Sequence, residues 1–233
     1  MSNTVLITGA NRGLGLEMTQ QYAQAGWTVI ACCRNPDNAS QLANLAHTFR
    51  ERVRLRSLDV TDFNAIDRLS SELSAQPIDI LINNAGVYGD GKSNHFGQMD
   101  YSLWHTVLAV NTLAPVKMAE AFLPQIQSGS RKLIVTLTSL MGSIADNRGG
   151  GSIMYRSSKA GLNAALKSLA IDLKPRGIGI LIMHPGWVKT DMGGANAPTL
   201  PQQSVAGLRQ VIDGFSLEHS GQFLDFQGKE LPW

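Results

Sequence analysis

Tyr155 and Lys159 are the two residues of this sequence whose types and spacing most directly suggest catalysis. They form a Tyr-x-x-x-Lys pattern, and a separation of four residues places both side chains on one face of a helix. A neighbouring ammonium group stabilises a phenolate, and a phenol that titrates at lower pH can exchange a proton with a carbonyl oxygen. An isolated pair of this kind usually arises by chance, so its meaning depends on the elements around it.

A glycine-rich segment near the N-terminus is typical of a dinucleotide phosphate site. It runs Thr-Gly-Ala-Asn-Arg-Gly-Leu-Gly over residues 8–15, after an apolar run at residues 5–7 and before an amphipathic stretch. Gly9 permits a tight turn, Gly13 lets backbone approach a pyrophosphate, and Gly15 allows a helix to pack closely. We therefore predict a strand, a phosphate-binding turn and a helix in this order.

Apolar runs of β type alternate with helical patterns along the whole chain. Most runs lack strict alternation, which is typical of strands covered on both faces. This predicts an α/β fold, a Rossmann-type doubly wound parallel sheet of about seven strands with helices on both faces. The predicted strands are residues 4–8, 28–33, 53–58, 78–82, 132–137, 178–183 and 222–226. The predicted helices are residues 14–25, 40–50, 62–75, 102–127, 153–174 and 203–215.

Composition limits the class of protein. The 233 residues are 43% hydrophobic and no linker divides them, so we expect residues 1–233 to form a single dinucleotide-binding and catalytic domain. The formal net charge of +2 comes from scattered residues, and we expect no nucleic acid partner. The histidines are too widely spread to suggest a metal site, and none is predicted.

The expected location is the cytoplasm. The only cysteines, Cys32 and Cys33, are adjacent and cannot form a disulfide framework, which favours a reducing compartment. The first predicted strand begins too early to leave room for a signal peptide. No apolar run approaches the roughly 18 residues that a membrane span needs, so no membrane partner is expected.

Further motifs follow the predicted strands in order. Residues 83–86 read Asn-Asn-Ala-Gly after the fourth strand, Ser139 follows the fifth, and Pro185 and Gly186 follow the sixth. Together with the glycine-rich turn and the Tyr-x-x-x-Lys pair, this set resembles the short-chain dehydrogenase/reductase family over essentially the whole chain. Within that family it resembles the sniffer-like and C-factor-like carbonyl reductases. The resemblance implies an NADP(H)-dependent oxidoreductase that reduces an aldehyde or ketone to an alcohol by hydride transfer.

The resemblance also implies roles for particular residues. The catalytic tetrad falls on Asn111, Ser139, Tyr155 and Lys159. Tyr155 would be the general acid, Lys159 would hold the nicotinamide ribose and lower the pKa of the phenol, and Ser139 would donate a hydrogen bond to the substrate oxygen. The implied cofactor-binding residues are Gly9, Asn11, Arg12, Gly13, Leu14, Gly15, Arg34, Asp59, Val60, Asn84, Ala85, Gly86, Tyr155, Lys159, Pro185, Gly186, Val188 and Thr190.

Asn111 has independent support from its neighbour four residues on. Pro115 has no N–H, so the carbonyl of Asn111 loses its partner within a helix. A helix interrupted in this way can hold a water molecule at the free carbonyl. The family uses such an arrangement to pass a proton to the lysine.

The end of the second predicted strand favours NADP(H) over NAD(H). An NAD site normally carries an acidic residue here to bind the ribose hydroxyls. Cys33 stands at that position and Arg34 follows it, while Arg12 lies in the glycine-rich turn. Two guanidinium groups suit a 2′-phosphate, which arginine binds with two hydrogen bonds. The alternative is that both arginines simply point to solvent, which the absence of the acid disfavours.

Irregular segments follow three strand ends, where ligands bind in open α/β sheets. These segments are residues 86–100, 141–152 and 187–201. The middle one is longer than the family usually has, with residues 147–152 as the apparent insertion. The last is rich in small residues and is expected to be a mobile lid, with a fixed surface loop as the alternative. Tyr88, Trp187 and Met192 either line a substrate pocket or are ordinary loop packing.

Two questions stay open between alternatives. The helix near Tyr155 has one apolar stripe at Leu162, Leu166, Leu169 and Leu173 and another at Ala160, Ala164 and Ile171. Two apolar faces favour a homodimer or homotetramer over a monomer with one broad buried face. The alternative to a reductase is a cofactor-binding regulatory or signalling protein with incidental catalysis, or an epimerase or dehydratase. The complete tetrad favours the reductase, because a protein that only binds the cofactor need not retain it.

Overall fold

The fold is a parallel sheet of seven strands, seen in a computed structural model that describes residues 3–91 and 95–233. The strand order is β3-β2-β1-β4-β5-β6-β7, and every neighbouring pair is parallel. The strands are Thr4–Thr8 (β1), Thr28–Cys33 (β2), Val53–Ser57 (β3), Ile80–Asn83 (β4), Leu133–Leu137 (β5), Gly179–His184 (β6) and Phe223–Asp225 (β7). The predicted doubly wound sheet is confirmed, with strand ends shifted by at most two residues. The predicted domain, residues 1–233, includes residues 1–2 and 92–94, which lie outside the described residues. Residues 92–94 also belong to the predicted irregular segment 86–100.

Helices connect successive strands and cover both faces of the sheet. They are Gly13–Gln24 (α1), Ser40–Thr48 (α2), Phe63–Glu72 (α3), Tyr101–Leu108 (α4), Ala114–Ala121 (α5), Leu123–Ser128 (α6), Ile153–Leu173 (α7) and Pro201–Asp213 (α8). Short 3₁₀ turns lie at Pro36–Asn38, Leu140–Gly142, Lys174–Arg176 and Leu217–His219. Among residues 3–91 and 95–233, no helix is long and apolar enough to cross a membrane.

The single helix predicted for residues 102–127 is wrong, because it is divided into α4, a π turn, α5 and α6. The π turn spans Ala109–Leu113, and the N–H of Ala114 donates to the carbonyl of Ala109, five residues back. Pro115, in the first turn of α5, cannot donate to a carbonyl one turn earlier, and the wider turn accommodates it. The expected interruption at Asn111 is therefore present, as a π turn.

Two apolar cores lie on opposite faces of the sheet. Successive residues of a strand point to opposite faces, so Leu6 joins one core while Val5 and Ile7 join the other. The first core is closed by residues of α3, α5 and α7, and the second by residues of α1 and α8. Burial on both faces explains why the strands read as continuous apolar runs. Since both cores rest on one sheet, we infer that the chain forms one domain.

Gly15 allows α1 to pack directly against the end of β1. A Cβ at this position would lie 2.2 Å from the carbonyl oxygen of Gly9 and 2.6 Å from Nδ2 of Asn84. Gly161, in the middle of α7, has only Cγ2 of Thr112 near its Cβ position, at 3.5 Å. The two glycines therefore differ in what a methyl group would meet.

We expect Gly15→Ala to lower the free energy of unfolding by about 1–3 kcal/mol, since the backbone must shift to admit the methyl group. Gly161→Ala is the matched control, and it should raise that free energy by about 0.5–1 kcal/mol through helix propensity. Urea denaturation of both variants measures the difference. Equal effects of the two substitutions would contradict the close packing at Gly15.

Candidate active site

A cleft opens at the carboxyl ends of β1 and β4, where the strand order reverses. Open α/β sheets bind ligands at this point because the chain leaves the two neighbouring strands toward opposite faces. All predicted cofactor-binding residues line the cleft except Gly15, Gly186 and Val188. These three shape its walls instead: Gly15 packs α1 on the turn, Gly186 faces the ring of Phe226, and Val188 pairs with Thr199.

The glycine-rich turn forms one wall of the cleft and ends at an uncapped helix. Gly9 and Gly13 have φ of 65° and 54°, a left-handed conformation that glycine adopts without strain. Arg12 is the N-cap residue of α1, and its side chain makes no capping hydrogen bond. The first N–H groups of a helix lack partners within it and favour an anion. The turn therefore fits a pyrophosphate.

Asn84 braces this turn from the neighbouring strand. Its Nδ2 donates to the carbonyl oxygens of Thr8, at 2.8 Å, and Gly9, at 3.1 Å. In return, Oγ1 of Thr8 accepts from the backbone N–H groups of Asn84 and Ala85, each at 3.1 Å. These bonds hold the carboxyl ends of β1 and β4 together, and the glycine-rich turn is thereby fixed to the neighbouring strand.

Two predicted catalytic residues, Tyr155 and Lys159, line the cleft, and a third, Ser139, lies beside Tyr155. All three residues are buried, and the Ser139 hydroxyl lies close enough to the Tyr155 phenol to act on its pKa. Burial raises the pKa of Tyr155 to about 12, while Ser139 acts to lower it and Tyr88 to raise it. The lowered phenol pKa expected from Lys159 is absent in the protein alone, because burial outweighs the other influences. Oγ of Ser139 also accepts from the N–H of Met141, at 3.1 Å.

Lys159 is a buried cation beside the tyrosine. Its Nζ donates to the carbonyl of Leu137 at 2.9 Å and lies 5.8 Å from the centre of the Tyr155 ring. Burial lowers the pKa of Lys159 from its ordinary value of 10.5 to about 8. A cation in an apolar environment is disfavoured, so this lysine readily gives up its proton.

The fourth predicted residue, Asn111, acts through its side chain. The amide is fully buried; Oδ1 accepts from the N–H of Val87 at 2.9 Å, and Nδ2 donates to the carbonyl of Val87 at 2.8 Å. Nδ2 also donates to Oγ of Ser158 at 3.0 Å. Asn111 thereby joins the loop after β4 to α7. The missing N–H of Pro115 predicts only a free backbone carbonyl at Asn111 and does not reveal this role of the side-chain amide.

Of the two arginines predicted to select the cofactor, Arg34 lines the cleft at the end of β2, while Arg12 lines it from the glycine-rich turn. Cys33 and Arg34 both line it at the end of β2, where no acidic residue stands. Asp59 lies nearby; burial would raise the pKa of its carboxyl, but hydrogen bonds from Thr61 and the charge of Arg34 hold that pKa below its usual value. The region fits a 2′-phosphate, which needs positive charge and no acidic residue at the second strand.

Arg12 has a partner that sequence reasoning did not predict. Its Nη1 lies 3.0 Å from Oδ2 of Asp191, in the segment after β6, so an ion pair connects the two banks of the cleft. Both side chains are mostly exposed, and exposed pairs contribute little to stability.

The segment 187–201, expected to act as a lid, has internal hydrogen bonds. Nε1 of Trp187 donates to the carbonyl of Gly193 at 2.8 Å, and the backbone N–H of Lys189 donates to the carbonyl of Thr199 at 2.8 Å. Met192 lines the cleft and Trp187 does not, and both side chains are exposed. The segment is thus folded on itself above the cleft, and its mobility stays a prediction.

Several residues that line the cleft lie outside the motifs that identified it. They are Leu58, Val87, Val110, Leu137 and Thr138. Most are apolar residues at strand ends or on the π turn, and no pattern separates them from core residues. Within the part of the chain that the structure describes, no group of three or more His, Cys, Asp or Glu side chains could hold a metal ion.

Comparison with known proteins identifies the family. Residues 3–200 match the family model described as short chain dehydrogenase. The chain therefore belongs to the short chain dehydrogenase family, an oxidoreductase family, as its motifs predicted.

Individual relatives confirm the narrower resemblance. The chain is 45% identical over 157 residues to the C-signal protein of Myxococcus xanthus, covering 67% of this chain and 93% of that one. It is 34% identical to the carbonyl reductase Sniffer of D. melanogaster, with a TM-score of 0.93 and full coverage of both chains. An NADPH-bound carbonyl reductase from chicken fatty liver is 32% identical, with a TM-score of 0.92 and coverage of 100% and 99%.

The burial of Lys159 generates a prediction about stability and pH. Its pKa is about 8 in the folded chain and 10.5 ordinarily, so between these pH values the unfolded chain binds more protons and stability rises with pH. Lys159→Met removes this contribution. The stability of the variant relative to wild type should therefore be greatest below pH 8 and decline by about 3 kcal/mol as the pH approaches 10.5.

Denaturant unfolding at several pH values measures this difference. Comparing the two proteins cancels the other groups that titrate in the same range. Lys167→Met, on an exposed lysine of the same helix, should show no comparable change with pH. A pH-independent difference between Lys159→Met and wild type would contradict the buried cation.

Proposed function

We propose that this protein is an NADP(H)-dependent carbonyl reductase that converts an aldehyde or ketone to an alcohol. One observation carries the proposal: a buried phenol and a buried amine line a cleft whose walls suit a dinucleotide phosphate, and a buried hydroxyl lies beside the phenol. The arrangement provides both a proton donor and a place to hold a cofactor. The carbonyl reductases that resemble this chain over their whole length support the same reaction.

Tyr155 is the proton donor in this proposal. With a pKa near 12, its phenol is protonated at neutral pH and can donate to a carbonyl oxygen. Ser139 aligns that oxygen and stabilises the negative charge that develops on it. When bound, the nicotinamide supplies the hydride to the carbonyl carbon, and the proton from Tyr155 completes the alcohol. Lys159, with a pKa near 8, can return a proton toward the phenol and hold the ribose.

The proposed cofactor is NADP(H). The uncapped start of α1, with Gly9 and Gly13, suits the pyrophosphate, and Arg34 with Arg12 suits the 2′-phosphate. The chicken carbonyl reductase, which resembles this chain, is described as NADPH-bound. We propose that the remaining predicted residues that line the cleft contact the cofactor directly. Gly15, Gly186 and Val188 support the site through their packing.

Two further properties are proposed from sequence and surface together. Ile171 on α7 is 65% exposed and Leu113 on the π turn is 54% exposed. Apolar side chains this exposed are covered in a self-associating protein, which favours the predicted homodimer or homotetramer. We also propose a cytoplasmic location, because Cys32 and Cys33 are both free thiols, which suits a reducing compartment.

The alternative function is a cofactor-binding regulatory or signalling protein on the same fold. The similarity to the C-signal protein keeps this alternative open. The buried lysine argues against it, because a protein that only binds a dinucleotide gains nothing from a costly buried cation beside a phenol. Consumption of NADPH with a carbonyl substrate separates the two functions.

We expect Tyr155→Phe to reduce turnover by about 10²–10⁴-fold while NADPH still binds, because the ring stays and the transferable proton is lost. Turnover is measured as loss of NADPH absorbance with aldehydes, ketones, quinones and ketoesters. Tyr101→Phe removes the same hydroxyl from an exposed tyrosine and should leave turnover unchanged. A Tyr155→Phe protein as active as wild type would rule out the proposed mechanism.

We expect NADPH to bind about tenfold or more tightly than NADH, since charge-assisted hydrogen bonds to a 2′-phosphate contribute roughly 1.5–3 kcal/mol each. Cys33→Asp combined with Arg34→Ala should move the preference toward NADH by adding a ribose acceptor and removing a phosphate partner. Raised salt should weaken NADPH binding more than NADH binding.

Dissociation constants for both cofactors, from fluorescence titration, test the preference. Arg50→Ala, on an exposed arginine of the α2–β3 connection, should change neither constant and serves as the control. Equal affinities of the wild type for both cofactors at low salt would refute the assignment.

A further inference from the structure

The first turn of the helix that carries Tyr155 is capped from outside the helix. α7 begins at Ile153, and Ser152 precedes it in a left-handed conformation with φ of 48°. The Ser152 side chain makes no capping hydrogen bond to the helix, although serine commonly caps at this position. The N–H groups of a first helical turn have no partners within the helix. Water or another part of the chain must therefore satisfy them.

Asp90 supplies the missing acceptors. The backbone N–H of Met154 donates to its Oδ1 at 3.2 Å, and the N–H of Tyr155 donates to its Oδ2 at 2.8 Å. Asp90 is partly buried in the loop after β4, 65 residues before Tyr155. Its negative charge also faces the positive end of the helix dipole, which is a favourable position for a carboxylate.

The residues beside Asp90 hold the loop against the same turn. The hydroxyl of Tyr88 is hydrogen-bonded to the hydroxyl of Ser152 at 2.7 Å, and its ring centre is 5.0 Å from that of Tyr155. The backbone of Val87 is held on the other side by the Asn111 amide. The loop is thus anchored at Val87 and Tyr88, just before the Asp90 carboxylate that contacts the helix.

We propose that Asp90 is a positioning residue for the reaction, because it fixes the backbone of Tyr155 and thereby directs the phenol toward Ser139 and the substrate oxygen. The proposal rests on the proposed function, in which Tyr155 donates the proton. The bond is made to the amide nitrogen of the catalytic residue itself, so a shift of the helix start moves the phenol directly. A displacement of about 1 Å at a reacting group can lower the rate by about 100-fold.

Two substitutions of Asp90 and one matched control test this role. Asp90→Ala removes the acceptors, whereas Asp90→Asn retains one oxygen that can accept from Tyr155. Asp100 is the control because it caps α4 by accepting from the N–H of Leu103 at 3.0 Å. Should the alanine variant fail to fold, Asp90→Ser replaces it, since its shorter side chain does not reach the helix.

For turnover, we expect Asp90→Ala to lower kcat by about 10–100-fold with little change in the dissociation constant of NADPH. Asp90→Asn should stay within about threefold of wild type, since asparagine caps helices about as well as aspartate. Asp100→Ala should lower Tm and leave kcat unchanged. A kcat loss in Asp100→Ala equal to that in Asp90→Ala would mean general destabilisation and would overturn the proposal. Failure of Asp90→Asn to restore kcat would overturn it as well.

A second measurement does not depend on turnover. The chain has four tyrosines, so labelling their ring Cζ with ¹³C gives a simple spectrum in which Tyr155→Phe identifies the Tyr155 signal. Asp90→Ala should shift that signal, and Asp90→Asn and Asp100→Ala should leave it near its wild-type position. If the wild type reduces no carbonyl compound, the proposed function fails, but this signal still decides the role of Asp90. An unshifted signal in Asp90→Ala overturns the proposal.

Discussion

The close approach of β1 and β4 at their carboxyl ends is the constraint on which the rest of the site depends. Here the Asn84 side chain donates to two carbonyl oxygens of the glycine-rich turn, and the Thr8 hydroxyl accepts hydrogen bonds from two backbone N–H groups. The bonds leave no room for a side chain at Gly15, so α1 starts directly against the turn. Its unpartnered N–H groups then face the cleft, and the phosphate site follows from this packing.

Burial at the other end of the cleft sets the chemistry. Tyr155 and Lys159 are both removed from water, and burial moves their pKa values in opposite directions, up for the phenol and down for the amine. Both shifts favour the neutral form of each group. A neutral phenol is a proton donor at neutral pH, and a lysine with a pKa near 8 can exchange protons there. Isolation from solvent thus brings the pKa of Lys159 close to neutral, whereas it makes the Tyr155 phenol a weaker acid than it is in water.

Local sequence predicted the elements and the residue types better than the contacts between distant segments. The glycine spacing predicted β1 and α1, and the alternation of continuous apolar runs with helical patterns predicted a parallel doubly wound sheet, because each of these signals is local. The π turn at Ala109–Leu113 was predicted only as an interruption, since Pro115 forbids the regular bond without specifying how the helix adapts. The amide of Asn111 and the Arg12–Asp191 pair join residues far apart in the chain, and no local pattern encodes them.

The ion pair between Arg12 and Asp191 is weak enough for Arg12 to remain available to a bound phosphate. Both side chains are mostly exposed, so water screens their attraction and little energy holds them together. A dianionic 2′-phosphate offers the guanidinium two hydrogen bonds and more charge than one carboxylate does. Under the proposed function, Arg12 can exchange Asp191 for this phosphate at small cost. Because the ion pair contributes little, its loss can shift the segment 187–201 only slightly, and the hydrogen bonds within that segment decide its conformation.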